Sequence, residues 1–225
     1  MLATVIGEIL PLTLAIAISP LTIVAVILML LSPNARRTGI GFLLGWGIGI
    51  VVPVTVFVLV AGALPPKTGS GGPDPIRAII QFVLAALLLL LAVVQWRRRP
   101  EPGAEPALPT WMSAIDSFTF ARALGLGLLL SIPRPKNLLI AASAGMLIGG
   151  AGLSSASAAI ATAVFVLCAV STVLIPVVAY LLAAERLRAP MEALREWLAR
   201  ENAVITTVLL VVIGVLMIGK GLGSL

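Results

Sequence analysis

The sequence predicts an all-α integral membrane protein: six transmembrane helices arranged as two inverted three-helix repeats, the first and fourth helices broken at proline motifs. Three observations carry this reading. Hydrophobic residues make up 60% of the 225 and charged residues only 11%, far from the near-even balance of a soluble domain. Residues 9–35, 38–66, 78–96 and 202–219 hold no charge, and 137–184 is one uncharged run; at roughly 20 residues per crossing of about 30 Å of hydrocarbon, that last run suffices for two spans. Finally, a segment rich in proline and charge at 97–118 divides the apolar runs three and three. An odd number of spans on each side obliges related halves to insert in opposite orientations.

The first span is expected at about 3–31, interrupted at Ser19-Pro20, because proline removes a backbone donor and crowds the preceding turn. This stretch does not read as a cleavable signal peptide: it carries Glu8 in place of a basic leader and runs past the length of a signal core. The second span, 39–63, holds Pro53 and a face of Gly41, Gly45 and Gly49. Small residues at that interval let helices approach closely, either within the chain or between copies in an oligomer. The third span, 76–96, ends at Trp96 and Arg97, Arg98 and Arg99. Residues 1–96 thus form the first repeat, 97–118 a cytoplasmic linker, and 119–225 the second repeat.

The fourth span, 120–150, contains Ser131-Ile-Pro133-Arg134-Pro135-Lys136-Asn137 near its middle, with Gly145 and Gly149 beyond. The fifth, 156–183, holds Pro176 and the lone Cys168, which reads as a small buried apolar residue. Residues 189–202 are amphipathic, with Met191, Leu194, Trp197 and Leu198 on one face. The charge pairs Arg188–Glu192 and Glu196–Arg200 lie on the other faces. Such a helix lies in the cytoplasmic interface, and Trp96, Trp111 and Trp197 fall where interfacial aromatics belong. The sixth span follows at 203–222.

Charge sets orientation. Arg36, Arg37, Arg97, Arg98, Arg99, Arg186, Arg188, Arg195 and Arg200 fall on one side, against Lys67, Arg77 and Lys220 on the other. The positive-inside rule puts the arginine side in the cytoplasm of a multi-pass plasma-membrane protein, with both termini outside. The net charge of +6 is then explained by loops facing anionic lipid, without a nucleic-acid partner. Histidine is absent, which excludes Cys/His metal sites and histidine-based catalysis. No cofactor, metal or enzymatic activity is expected, and Asp74 and Asp116 read as loop or interface residues.

The candidate site is the charged break. Prolines at 133 and 135 free backbone groups, and the helix restarting at Pro135 presents a partial positive charge at its N-terminus. With Arg134, Lys136 and the Asn137 amide, that point prefers phosphate, sulfate or carboxylate. Cations at bilayer depth are costly and face a cavity, partner or substrate; the other reading has both snorkelling to headgroups. Ser19, Pro20 and Thr22 form the matching break, with carbonyls freed near Ala15 and Ile16 opposite Lys136. Glu8 reads as a proton-coupling acid, as a counter-ion for Lys136, or as a residue at the outer headgroups.

Leu10-Pro-Leu-Thr-Leu-Ala-Ile-Ala-Ile-Ser-Pro20, then Ala25-Val-Ile-Leu-Met-Leu-Leu-Ser-Pro-Asn-Ala-Arg36 with Gly41-Phe-Leu-Leu-Gly-Trp46, and later Pro135-Lys-Asn-Leu-Leu139, together resemble the GAP family. These are actinobacterial glycolipid- or peptidoglycolipid-addressing proteins, among them sulfolipid-1-addressing ones, in the lysine-exporter superfamily. The resemblance covers nearly the whole chain. It implies two inverted three-helix repeats and delivery of a cell-envelope glycolipid to the outer side, often beside lipid-synthesis enzymes or within a larger exporter. Ser19, Pro20, Pro135, Lys136 and Asn137 are the motif positions it carries over. No Walker motif is present, so an ATPase would have to be a partner. The expected function is a transporter or flippase moving an anionic or polar-headed amphiphile outward. Its rivals are a small-solute exporter for amino acids or anions, and a scaffold docking lipid-synthesis enzymes through 97–118 and the interfacial helix.

Overall fold

The computed structural model describes residues 1–64, 74–97, 99, 115 and 117–225, the side chains of 183–188 and 199–200 excepted. Most of the expected linker, including Trp111 and Asp116, lies outside these residues, as do Lys67, Arg98 and the side chains of Arg186, Arg188 and Arg200. The described chain is all helical: α1 (Leu2–Ala17), α2 (Pro20–Leu31), α3 (Ala35–Gly62), α4 (Pro75–Arg97), α5 (Phe120–Ser131), α6 (Pro135–Gly149) and α7 (Ser155–Leu222). It contains no strand among the described residues. Four stretches are each long and apolar enough to cross a membrane: α3, α4, Ser155–Leu182 and Glu201–Leu222. The chain is a multi-pass membrane protein.

Both expected breaks fall at their prolines. α1 and α2 meet at 56°. Ser19, held extended at φ −109° and ψ 95° by the ring of Pro20, is the residue between them that turns the chain. The 120–150 segment likewise divides into α5 and α6, of 12 and 15 residues. Neither reaches across a bilayer alone, at about 1.5 Å per residue. Their direction is set by α3. Gly41 lies against Phe120, Gly45 against Leu124, Gly49 against Ser131, Phe57 against Gly145 and Ala61 against Gly149. Numbers rise together along both elements, so α5 and α6 run in the same direction as α3, one after the other, over about 30 Å of its length.

The glycines make this approach physical. A Cβ on Gly41 would stand 2.6 Å from the Phe120 carbonyl oxygen, and one on Gly127 2.6 Å from that of Phe42. Both glycine faces, 41/45/49 and 145/149, are therefore occupied by contacts inside the chain.

At the C-terminal end the two expected spans and the stretch between them are joined in one helical run. α7 is one unbroken run of 68 helical residues through Pro176 and Pro190. The intervening 184–202 stretch is rich in Ala, Leu, Glu and Arg, all strong helix formers. The run is nonetheless not straight. Thr172 touches Ala17 and Lys220 pairs with Glu8. Those α1 positions are about 14 Å apart along the axis, whereas 172 and 220 would be about 72 Å apart in a straight helix. The chain folds back between them, and Pro190, of the residue type at which helices kink, lies between the two apolar stretches. Within that stretch Met191 and Leu198 are buried, whereas Leu194 and Trp197 stand out, 43% and 50% exposed.

Packing crosses between halves: α5 and α6 lie mainly on α3, while α1 and α2 lie mainly on α7. The short segments are the centre of the molecule, with nearly all of α2 from Thr22 to Leu30 and α6 from Ile140 to Ile148 buried. The long helices present large apolar side chains outward, Leu59, Leu90, Leu167 and Leu182 among them, as lipid-facing surfaces must.

Candidate functional site

Breaking α1 leaves backbone acceptors that a continuous helix would consume. Ser19 N, which would serve the Ala15 carbonyl, turns to Ala17 instead at 2.9 Å; Pro20 has no N–H to offer Ile16. The Lys136 ammonium takes up the orphan, donating to Ala15 O at 3.0 Å. Thr172 Oγ1 donates to Ala17 O at 2.7 Å. Ser19 and Thr22 are both buried, and the Thr22 hydroxyl donates to Ser19 Oγ at 3.2 Å. The break of one half is therefore closed by side chains from the other.

The second break is built the same way. Arg134 caps α6 in an extended conformation, φ −91° and ψ 116°, as the following proline requires. Pro135 occupies the first helical position, where its missing N–H costs nothing. Asn137 turns its amide nitrogen back across the break, to Ser131 O at 3.1 Å and Leu130 O at 3.5 Å. The level of the break is fixed by Ser131, which sits on Gly49, half-way along the 28-residue α3. Lys136, only 8% exposed, is buried at that depth and not extended toward a surface.

Electrostatically the site is one-signed. Arg134 is half-buried, its guanidinium without ion pair or hydrogen bond among the described residues, and Lys136 finds only a neutral carbonyl. Three acids pair with other cations: Glu8 with Lys220, Asp74 with Arg77 at 2.7 Å and Glu192 with Arg195 at 3.7 Å. Glu8 is thus the counter-ion of Lys220 and not of Lys136. Two cations therefore lie at a helix N-terminus with no acid paired to them among the described residues, where the partial positive charge of the helix end adds to theirs. No cluster of three or more metal-binding side chains occurs among the described residues.

Sequence reasoning named Arg134, Lys136, Asn137, Ser19 and Thr22, and the structure gathers them around the two breaks. It missed Thr172, although a Ser171-Thr172 pair just before Pro176 was a visible polar interruption of the fifth span. Two larger concavities flank the breaks. One, of about 560 Å³, is lined on the arginine-rich side by Pro33, Asn34, Arg36, Arg37, Ile40 and Phe120. The other, of about 980 Å³, is an apolar groove between α3 and α7, with Val51, Thr55, Leu59, Ala159, Ala163 and Leu167 in its walls.

A family model described as Sap, sulfolipid-1-addressing protein, matches residues 9–223. No curated protein and no solved structure matches the chain.

Proposed function

We propose that this chain, which belongs to the sulfolipid-1-addressing protein family, moves an anionic, polar-headed amphiphile outward across the plasma membrane as a transporter or flippase without an ATPase of its own. One observation carries the reading: Lys136, an uncompensated cation, is buried half-way through the bundle where two broken helices meet. In this arrangement the ammonium is parked on Ala15 O. A headgroup phosphate, sulfate or carboxylate is the stronger acceptor and displaces the carbonyl, with Arg134 as second cation and Ser19, Thr22 and Asn137 around the headgroup. The groove of about 980 Å³ between α3 and α7 suits the apolar part of such a molecule. The arginine-lined concavity of about 560 Å³ suits headgroup entry from the cytoplasm.

The same reading takes the halves as inverted repeats of three spans, 1–96 and 119–225, joined by a cytoplasmic linker. Reciprocal packing of each broken element on the other half's next helix supports it, as does the interrupted traverse of α5 and α6. The Glu8–Lys220 pair brings residues near both chain ends together, which supports termini on one side; the arginine distribution makes that side the outside. Glu8 is also the acid available for proton coupling.

The test compares surface-extractable with total lipids in cells lacking the protein, complemented with wild type or Lys136→Ala. The expected result is one polar lipid retained inside and missing from the surface, restored by wild type alone. Unchanged surface lipids would overturn the lipid reading in favour of small-solute export.

A further inference from the structure

Beside the break lies a small, partly enclosed cavity, lined by Gly49, Ile50, Pro53, Ser131 and Asn137 among others. Its size, about 10 Å³, is that of a single water molecule. One of its lining groups is an orphaned acceptor, and a second lacks its ordinary helical donor. Asn137 is 5% exposed, and its Oδ1 has no hydrogen-bond partner. The orientation of that amide is settled by its neighbours: the NH₂ faces the Ser131 and Leu130 carbonyls, and an oxygen there would be repelled. On α3, Pro53 has no N–H, so the Gly49 carbonyl four residues earlier lacks its helical donor, and both residues line this same cavity. A third group, the Ser131 hydroxyl, spends its hydrogen on Gly127 O at 2.8 Å and also offers lone pairs only.

We propose that this cavity is a binding site for one water molecule, which donates one hydrogen to Asn137 Oδ1 and the other to Gly49 O. A site made wholly of acceptors takes a donor and rejects an anion. Anion recognition at the break therefore belongs to Lys136 and Arg134, and the Asn137 oxygen serves a hydroxyl-type group. The water joins the interruption of one half to the proline position of the other, linking α6 to α3 through a ligand that can be exchanged. The inference stands whether or not the protein carries a lipid.

Radiolytic hydroxyl-radical labelling of the full chain in lipid nanodiscs tests it, because buried side chains label only where a bound water supplies the radical. Ile16 and Ile50 line the cavity and are 1% and 3% exposed; both are expected to label in wild type. Asn137→Leu removes one acceptor. Pro53→Ala gives Gly49 O its helical donor and leaves Asn137 intact, so it remains informative if the first variant folds poorly. In each, labelling at Ile50 is expected to fall several-fold while exposed Met1 labels as before. An unlabelled Ile50 in wild type, or equal labelling in wild type and Pro53→Ala, overturns the proposal.

Discussion

Replacing Lys136 by methionine should abolish tight substrate binding without unfolding the protein, because the lysine's two energetic roles have opposite signs. Its ammonium is buried and satisfied only by Ala15 O. Removing it strands that carbonyl, at about 1–3 kcal/mol, but also removes an unpaired charge from the interior. Taking that charge out of the interior relieves its desolvation penalty, of the order of several kcal/mol per buried ion. The terms overlap, so the thermal midpoint in detergent is expected to be unchanged or raised, at about 2–4 °C per kcal/mol for a chain of this size. A charge-assisted bond to an anionic headgroup contributes about 1.5–3 kcal/mol, so apparent affinity in proteoliposome transport should fall about 10- to 150-fold. Lys136→Met protein that melts far below wild type would make the lysine a structural strut. Wild-type transport affinity would remove it from the site. Either result refutes the reasoning.

Gly45→Ala drives a methyl into the Leu124 backbone and should cost about 1–3 kcal/mol, read as a lower melting temperature. Gly47→Ala on the same helix meets nothing within 4 Å and should be neutral or gain up to about 1 kcal/mol. Glu8→Gln breaks a pair whose side chains are 29% and 30% exposed, so stability should change by no more than about 1 kcal/mol. Transport should meanwhile lose its dependence on an imposed pH gradient; retained dependence takes Glu8 out of coupling. Deleting residues 100–109 should leave transport by the reconstituted protein largely intact, and loss of it would favour a docking role for the linker.

Some of this architecture is written locally and some is not. Proline's missing N–H acts within one helical turn, so the interruptions at Pro20 and Pro133–Pro135 are legible from the chain itself, as is the freeing of carbonyls near Ala15. The glycine faces are legible too, but not what fills them: that Leu124 lies on Gly45 and Phe57 on Gly145 depends on how helices cross. Thr172 meets Ala17 across 155 positions and Glu8 meets Lys220 from the opposite end of the chain. No periodicity reports such pairings. The unbroken α7 was hidden for another reason. The shift from apolar to amphipathic composition at 184–202 marks where the environment changes, while intrinsic helix propensity keeps the backbone helical through it.

The crossed packing of the halves has a consequence for how the protein is made. When the ribosome has released residues 1–96, the α3 glycine face has no α5 to receive, and α1 and α2 have no α7 to lie on. The first half must wait in the bilayer with its seams filled by lipid, its most buried segment, α2, still uncovered. Final assembly then exchanges lipid for protein along two seams at once, late in synthesis. Fragments ending in the linker should be short-lived when made alone and rescued when both are made in one cell.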